Sequence, residues 1–160
     1  FWGVVYGTKA YLPHLLERGD GWVVNVSSVF GLIGVPYQGA YNATKFAVRG
    51  FTEALRHELV GTGVTSLCVH PGGIKTNIAR SARMRANAEG VDAKTAAERF
   101  DQIARTTPAQ AAKIIADAME ARKDRVLVGA DAYAIDAIQR TFPVRYGKAF
   151  TVLEKRMRGR

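Results

Sequence analysis

The chain has 160 residues, 48% of them hydrophobic and 23% charged, with a formal net charge of +9. That balance excludes a disordered chain, no apolar run reaches the roughly 18 residues of a membrane span, and no secretory signal pattern is present. The single cysteine, Cys68, cannot form an internal disulfide and reads as a small buried hydrophobe in the run VTSLCVH, so a cytoplasmic address is the default.

Residues 1–17 place Phe1, Val4, Val5, Leu12, Leu15 and Leu16 near one helical face, with Pro13 expected to kink the helix or end it early. The helical register is already running at Phe1, so a segment is expected to precede it. RGDG (18–21) is a turn. WVVNVSS (22–28) opens with a β-branched apolar run, which suits a strand covered on both faces in a parallel sheet. Gly31, Gly34, Pro36 and Gly39 make 29–39 a loop, and a helix over about 40–61 carries Ala43, Phe46, Ala47, Ala54, Leu55 and Leu59 along one side. Residues 61–73 read as turn, buried strand and turn. The polar, alanine- and arginine-rich stretch 74–106 reads as broken helices in a mobile excursion. Thr107 as N-cap, Pro108 at the first helical position and Gln110 three after the cap form a capping box that opens a helix to about Lys123. RVLVG (125–129) is a short strand, and the remainder is helical with a break near Pro143. Strands alternating with helices, without repeats or linkers, predict one α/β domain around a parallel sheet; three strands leave it thin, with a bare edge.

The positive charge is spread along the helices, with one concentration at KRMRGR (155–160). Neither zinc-finger spacing nor an aromatic RNA-binding signature accompanies it, so it reads as a solvated face and not a nucleic-acid site. Near the end, Phe142, Tyr146, Phe150, Leu153 and Met157 form an apolar stripe interleaved with Arg145, Lys148, Lys155 and Arg156. Such a helix packs on its own domain or a neighbouring subunit more often than on an anionic membrane. His14, His57 and His70 show no metal-ligand spacing, and no metal site is expected. A serine hydrolase using Ser27 or Ser28 with His70 as base is disfavoured, because no G-x-S-x-G elbow surrounds either serine.

Tyr41 and Lys45 lie four apart at the start of a helix, so their side chains share a face. A free phenol titrates near pH ~10 and is a poor base at neutrality; a cation within a few ångströms favours the phenolate. A tyrosine tuned in this way exchanges a proton with a substrate oxygen. Ser28, thirteen positions earlier at the carboxyl end of a buried strand, can donate to the same oxygen and stabilise its developing charge. The set suits a carbonyl becoming an alcohol, or the reverse, with hydride supplied from elsewhere.

NVSS followed by YNATK resembles the active-site signature of the short-chain dehydrogenase/reductase family. HPGGIKT (70–76) resembles that family's P-G-x-V/I-x-T motif, and FWGVVYGTKAYLPHLL resembles its helix before the serine strand. The resemblance covers essentially the whole chain. It implies a Rossmann-type doubly wound parallel sheet of which only the later strands and helices are present, an NAD or NADP cofactor, and a small-molecule carbonyl or alcohol substrate. Tyr41 would then be the acid/base, Ser28 would position and polarise the carbonyl, and Lys45 would hold the nicotinamide ribose. Pro71 and Gly72 would let the backbone pass close to the nicotinamide, while the Ile74 backbone and the Thr76 hydroxyl would hold its carboxamide. Residues from about 74 to 106 fall where relatives carry a substrate lid, with Arg80, Arg83, Arg85, Arg99 and Arg105 either solvated or facing an acidic group. A homo-oligomer, dimer or tetramer, is implied through helices equivalent to 1–17 and 40–61.

The family's first βαβ unit, with its glycine-rich pyrophosphate turn, has no counterpart here: neither G-x-G-x-x-G nor T-G-x-x-x-G-x-G occurs. The family's catalytic asparagine would fall immediately before Phe1. The expectation is the carboxyl-terminal part of a longer enzyme, unable to turn over a carbonyl substrate by itself. The alternative is an inactive fragment acting as an oligomerisation or interaction module.

Overall fold

Three short apolar runs pair side by side in a computed structural model, which describes residues 1–81 and 93–148. In chain order the elements are α1 (Trp2–Arg18), β1 (Gly21–Val26), a 3-10 turn (Val29–Gly31), α2 (Gly39–Glu58), β2 (Val64–Pro71), α3 (Ala93–Ile103), α4 (Pro108–Glu120), β3 (Arg125–Val128) and α5 (Ala130–Thr141). The strands form one parallel sheet in the order β1-β2-β3, with Asn25 opposite Cys68 and His70 opposite Leu127. β1 and β3 are its two edges, and Val26 at the end of β1 is 47% exposed.

Side chains alternate across a strand, and the two faces take different cores. On one face Leu67, Val69, Val126 and Val128 pack against Ala111, Ala118, Ile114 and Ile115 of α4. Leu67, Val69 and Val128 are fully buried, each contributing roughly 1.5–3 kcal/mol of apolar burial. On the other face Val23 and Val64 meet Leu55 and Leu59 of α2 and Leu12 and Leu15 of α1. Further along that face Leu127 joins Val29, Leu32, Ala132 and Ile135, tying α5 to the turn after β1. With helices on both faces of a parallel sheet, the doubly wound α/β arrangement expected from the sequence is present.

Helix α1 runs through Pro13 to Arg18 instead of ending early. Its last turn is held by Leu12 and Leu15 on the α2 side of the core, so tertiary packing outweighs the missing Pro13 N–H. Gly19 then closes it in the left-handed region at φ 71°, where a residue without Cβ carries no penalty. The capping box at Thr107 is formed as expected: the Gln110 N–H donates to Thr107 Oγ1, the Thr107 N–H to Gln110 Oε1.

A polar seam runs along the α2-facing side of the sheet. Asn25 Nδ2 donates to Thr52 Oγ1 at 3.1 Å, Thr52 Oγ1 donates to the Val48 carbonyl, and Ser66 Oγ donates to the Thr52 carbonyl. Every member is buried, and each gives α2 a register that apolar packing alone leaves loose. Cys68 lies fully buried in this seam, and burial pushes its thiol up to about 11, so it is the inert hydrophobe expected from the sequence.

The lid arginines Arg83 and Arg85, the Arg99 side chain, and Phe150, Leu153, Lys155, Arg156 and Met157 of the tail stripe lie outside the described residues. Among the described residues, no helix is long and apolar enough to cross a membrane, and no group of three or more His, Cys, Asp or Glu side chains could hold a metal ion.

Candidate active site at the carboxyl edge of the sheet

Parallel strands deliver their carboxyl ends to one edge, and Ser28, Lys45 and Pro71–Gly73 gather there. Ser28 follows β1 with extended backbone and caps the 3-10 turn: its Oγ accepts from the Phe30 N–H at 3.1 Å. That bond occupies an oxygen lone pair and leaves the hydroxyl proton free to donate outward. The Ser28 carbonyl accepts from the Gly31 N–H at 3.0 Å.

Tyr41 stands in the first turn of α2, 42% exposed, its ring edge-on to Phe30 at 6.0 Å between centroids. Its hydroxyl makes no hydrogen bond among the described residues. Lys45, one turn on, donates from Nζ to the Val26 carbonyl at 3.0 Å and lies 5.6 Å from the Tyr41 ring centroid. Burial lowers the Lys45 pKa below its ordinary value, partly opposed by the Cys68 thiol. One anchor on Val26 leaves the ammonium two further donors. Contacts therefore run without a break from Val26 through Lys45, Tyr41 and Phe30 to Ser28, and the three residues singled out by spacing share one edge.

The serine loop is pinned to α2 by residues that spacing did not mark. Asn42, buried beside Tyr41, donates from Nδ2 to the Phe30 and Ile33 carbonyls, each at 2.8 Å, and its Oδ1 accepts from the Val35 N–H at 3.1 Å. Ser27 Oγ donates to the Lys45 carbonyl at 2.8 Å. Neither serine hydroxyl meets His70, whose Nδ1 lies 3.0 Å from the Ser28 carbonyl oxygen, so the Ser–His pair of a hydrolase is not formed. Asn42 was legible only as a polar residue inside a helix that must be buried.

The second motif sits one strand over. The Gly72 N–H donates to the Val128 carbonyl at 2.9 Å, and the Gly73 N–H to Asp131 Oδ2 at 2.6 Å, from the first turn of α5. Ile74 bridges Thr106, and the Lys75 N–H donates to the Thr106 carbonyl at 2.8 Å. Thr76 accepts from the Ile78 N–H and lines an open cavity of about 560 Å³ with Lys75, Asn77, Arg80, Asp101 and Pro108. Arg80 is engaged with Asp101 across that cavity at 2.5 Å. Ser28, Tyr41 and Lys45 do not line it, so the described residues bring the predicted set together as two neighbouring groups.

The family described as short chain dehydrogenase matches residues 1–87, more than half of the chain. The chain belongs to the short-chain dehydrogenase family. A Mycobacterium tuberculosis relative named as an oxidoreductase, SadH, is 53% identical over 149 residues, 91% of this chain and 53% of its own length. A short-chain dehydrogenase from Streptomyces avermitilis, known from its crystal structure, is 31% identical with a TM-score of 0.72, over 99% of this chain and 59% of that one. The fold recurs in two more remote short-chain dehydrogenases. That of Burkholderia cenocepacia J2315, crystallised with NADP, is 22% identical with a TM-score of 0.74 over 94% of this chain and 55% of that one. That of Burkholderia phymatum, crystallised with NAD, is 24% identical with a TM-score of 0.76 over 87% and 54%. The short-chain dehydrogenase chain described here spans about half the length of the curated relatives that match along most of it. Its sheet and helices are the corresponding part of the Rossmann-type fold.

Proposed function

We propose that the protein is a nicotinamide-dependent oxidoreductase that interconverts a carbonyl and an alcohol, with Tyr41 as the acid/base. The observation that carries this reading is the unbroken run of contacts Val26–Lys45–Tyr41–Phe30–Ser28 at the carboxyl edge of a parallel sheet, in a chain of this family. Tyr41 offers a hydroxyl that serves no structural bond, and Ser28 has a free hydroxyl proton beside an occupied lone pair.

In reduction, Ser28 donates a hydrogen bond to the substrate oxygen and steadies the charge that develops there, while Tyr41 Oη delivers the proton. In oxidation the same atoms run in reverse. Lys45, held on Val26, keeps a cation over the Tyr41 ring, 5.6 Å from its centroid. A nicotinamide cofactor, when bound, supplies or accepts the hydride. The residues present fit its reactive end: the two spare Lys45 donors and the Tyr41 hydroxyl suit a ribose diol, and the Ile74 backbone with the Thr76 hydroxyl suits the carboxamide. Pro71 and Gly72 form the backbone wall between those two groups, and either NAD or NADP satisfies these contacts.

The gene's full-length product should quench its tryptophan fluorescence on titration with NADH or NADPH and oxidise one of them when offered a panel of aldehydes and ketones. Neither response with either cofactor would remove the reading.

One observation favours self-association alongside catalysis. Trp2, Tyr6 and Tyr11 of α1 are 62%, 64% and 71% exposed, Trp2 stacks on Tyr6, and Phe1 joins them to Phe51 of α2. A homo-oligomer closing over α1 and α2 would cover that aromatic surface, and sedimentation of the protein would show a discrete dimer or tetramer.

A further inference from the structure

Two ionisable side chains of the sheet are fully buried among the described residues, Cys68 and His70, and the chemistry proposed above makes no use of the histidine. His70, next to last in β2, has no exposed surface, and its Nδ1 lies 3.0 Å from the carbonyl oxygen of Ser28, two residues beyond β1. A carbonyl oxygen only accepts, so Nδ1 carries the proton and the ring is the neutral Nδ1–H tautomer. Burial drives the imidazole down to about 4, against the opposing effect of that hydrogen bond. Arg125 and Arg49 push it further down, and Glu53 pulls it up. Nε2 has no hydrogen-bond partner among the described residues. A buried polar atom without a partner costs roughly 1–3 kcal/mol, a cost an apolar residue of similar volume would avoid. Packing alone therefore gives no reason for a histidine here.

We propose that His70 is a positioning residue that acts through Ser28, holding the Ser28 carbonyl from the β2 side so that its hydroxyl stays aimed at the substrate oxygen. This rests on the carbonyl–alcohol reading above. The Ser28 carbonyl is gripped from two directions, by the Gly31 N–H within the 3-10 turn and by the His70 Nδ1–H across the sheet. The first bond sets the turn, whereas the second ties that turn to a strand. With both in place, the Ser28 peptide cannot rotate without breaking a buried hydrogen bond. The Ser28 hydroxyl keeps one orientation, with its lone pair on the Phe30 N–H. Without the His70 donor, the turn remains and the Ser27 N–H still holds the Val69 carbonyl at 2.8 Å, but the Ser28 carbonyl itself loses its bond to β2. His70 never touches substrate or cofactor, and the role is one of geometry.

The test uses the gene's full-length product and three substitutions. His70→Leu removes the donor and keeps an apolar volume, His70→Asn retains an N–H near the position of Nδ1, and Ser28→Ala removes the hydroxyl being aimed. His70→Leu should lower kcat by about 10²-fold, the scale of an ångström-sized misplacement, with KM for the cofactor unchanged. His70→Asn should restore most of that loss, and His70→Leu should add nothing in the Ser28→Ala background. Multiplying losses in the double variant, or an unchanged kcat in His70→Leu, would overturn the proposal. If His70→Leu fails to fold, imidazole nitrogen NMR of the wild-type protein decides: Nδ1–H is expected at pH 7, and an Nε2–H tautomer or an imidazolium overturns it. A wild-type protein with no carbonyl-dependent turnover would bring down the oxidoreductase reading and this inference with it. Normal wild-type turnover beside an indifferent His70→Leu would bring down this inference alone.

Discussion

At Gly31 the serine loop lies close against α2, and Gly31→Ala measures what that approach is worth. A Cβ built at Gly31 would stand 2.8 Å from the Lys45 carbonyl oxygen and 3.1 Å from its carbon, and would collide with Ser27 Oγ. Carbon atoms pack comfortably at about 3.5–4.0 Å, so backbone must move by roughly half an ångström or more. Ser27 Oγ is the nearest atom, and next to it stands the main chain of α2, which cannot turn aside as a flexible side chain would. Overpacking of this kind costs about 1–3 kcal/mol. Expelling Ser27 Oγ also breaks its 2.8 Å bond to the Lys45 carbonyl, a further ~0.5–1.5 kcal/mol. The stiffer unfolded chain returns about 0.4–1 kcal/mol. The net is a destabilisation of about 1–3.5 kcal/mol, read as a lower urea midpoint at unchanged slope. Gly34→Ala is the control, because its Cβ would meet only Tyr146 Oη at 3.8 Å, and it should stay within ~0.5 kcal/mol of wild type. If Gly31→Ala proved as mild as Gly34→Ala, the loop and helix would not be in the contact described, and Lys45 would not be placed by it.

Three more outcomes follow from the same geometry. Because the folded His70 titrates at about 4 and the unfolded one near 6.5, the unfolded chain binds the extra proton between those values. Stability is therefore complete above the unfolded value and falls as pH drops through the window, by up to about 3 kcal/mol. Urea midpoints from pH 7 to 4 should show that slope in wild type and lack it in His70→Leu; parallel slopes would refute it. Asp136 is held below 3.8 chiefly by its hydrogen bond to Arg125, so its own loss comes at more acid pH. Asp131→Ala strips the Gly73 N–H of a charged acceptor and should cost about 1.5–3 kcal/mol. It should also raise KM for the nicotinamide cofactor several-fold, whereas Asp131→Asn, which keeps an acceptor oxygen, should be mild; equal effects would refute the role. Lys45→Met removes one bond to Val26 and the two donors left for a ribose diol, and should raise KM for the nicotinamide cofactor by about tenfold; an unmoved KM would show that Lys45 does not hold it.

What could be read in advance was local in sequence. The Thr107 capping box spans three residues, and the Tyr41–Lys45 pair spans one helical turn, so spacing sufficed for both. The strands announced themselves as β-branched apolar runs. Contacts that close over long separations were hidden. Asp131 reaches Gly73 across 58 residues and His70 reaches Ser28 across 42, and neither carries a local pattern. His70 was visible as the first residue of HPGGIKT and as a disfavoured base for Ser27 or Ser28, and the structure sets its Nδ1 against the Ser28 peptide carbonyl. The early end offered at Pro13 did not occur for the same reason in reverse, since a local rule was outweighed by Leu12 and Leu15 packing on a core assembled from distant strands. Ser28 and Tyr41 were paired by resemblance. Their contact runs through Phe30, which no motif marks.

The central claim is that Tyr41 moves the proton, and Tyr41→Phe tests it most directly because the hydroxyl it removes makes no hydrogen bond among the described residues. Single-turnover reduction by the gene's full-length product, with cofactor and carbonyl substrate saturating, should slow by about 10²–10⁴-fold in the variant, with melting temperature unchanged. A Tyr41→Phe protein that reduces the carbonyl at the wild-type rate would contradict the account.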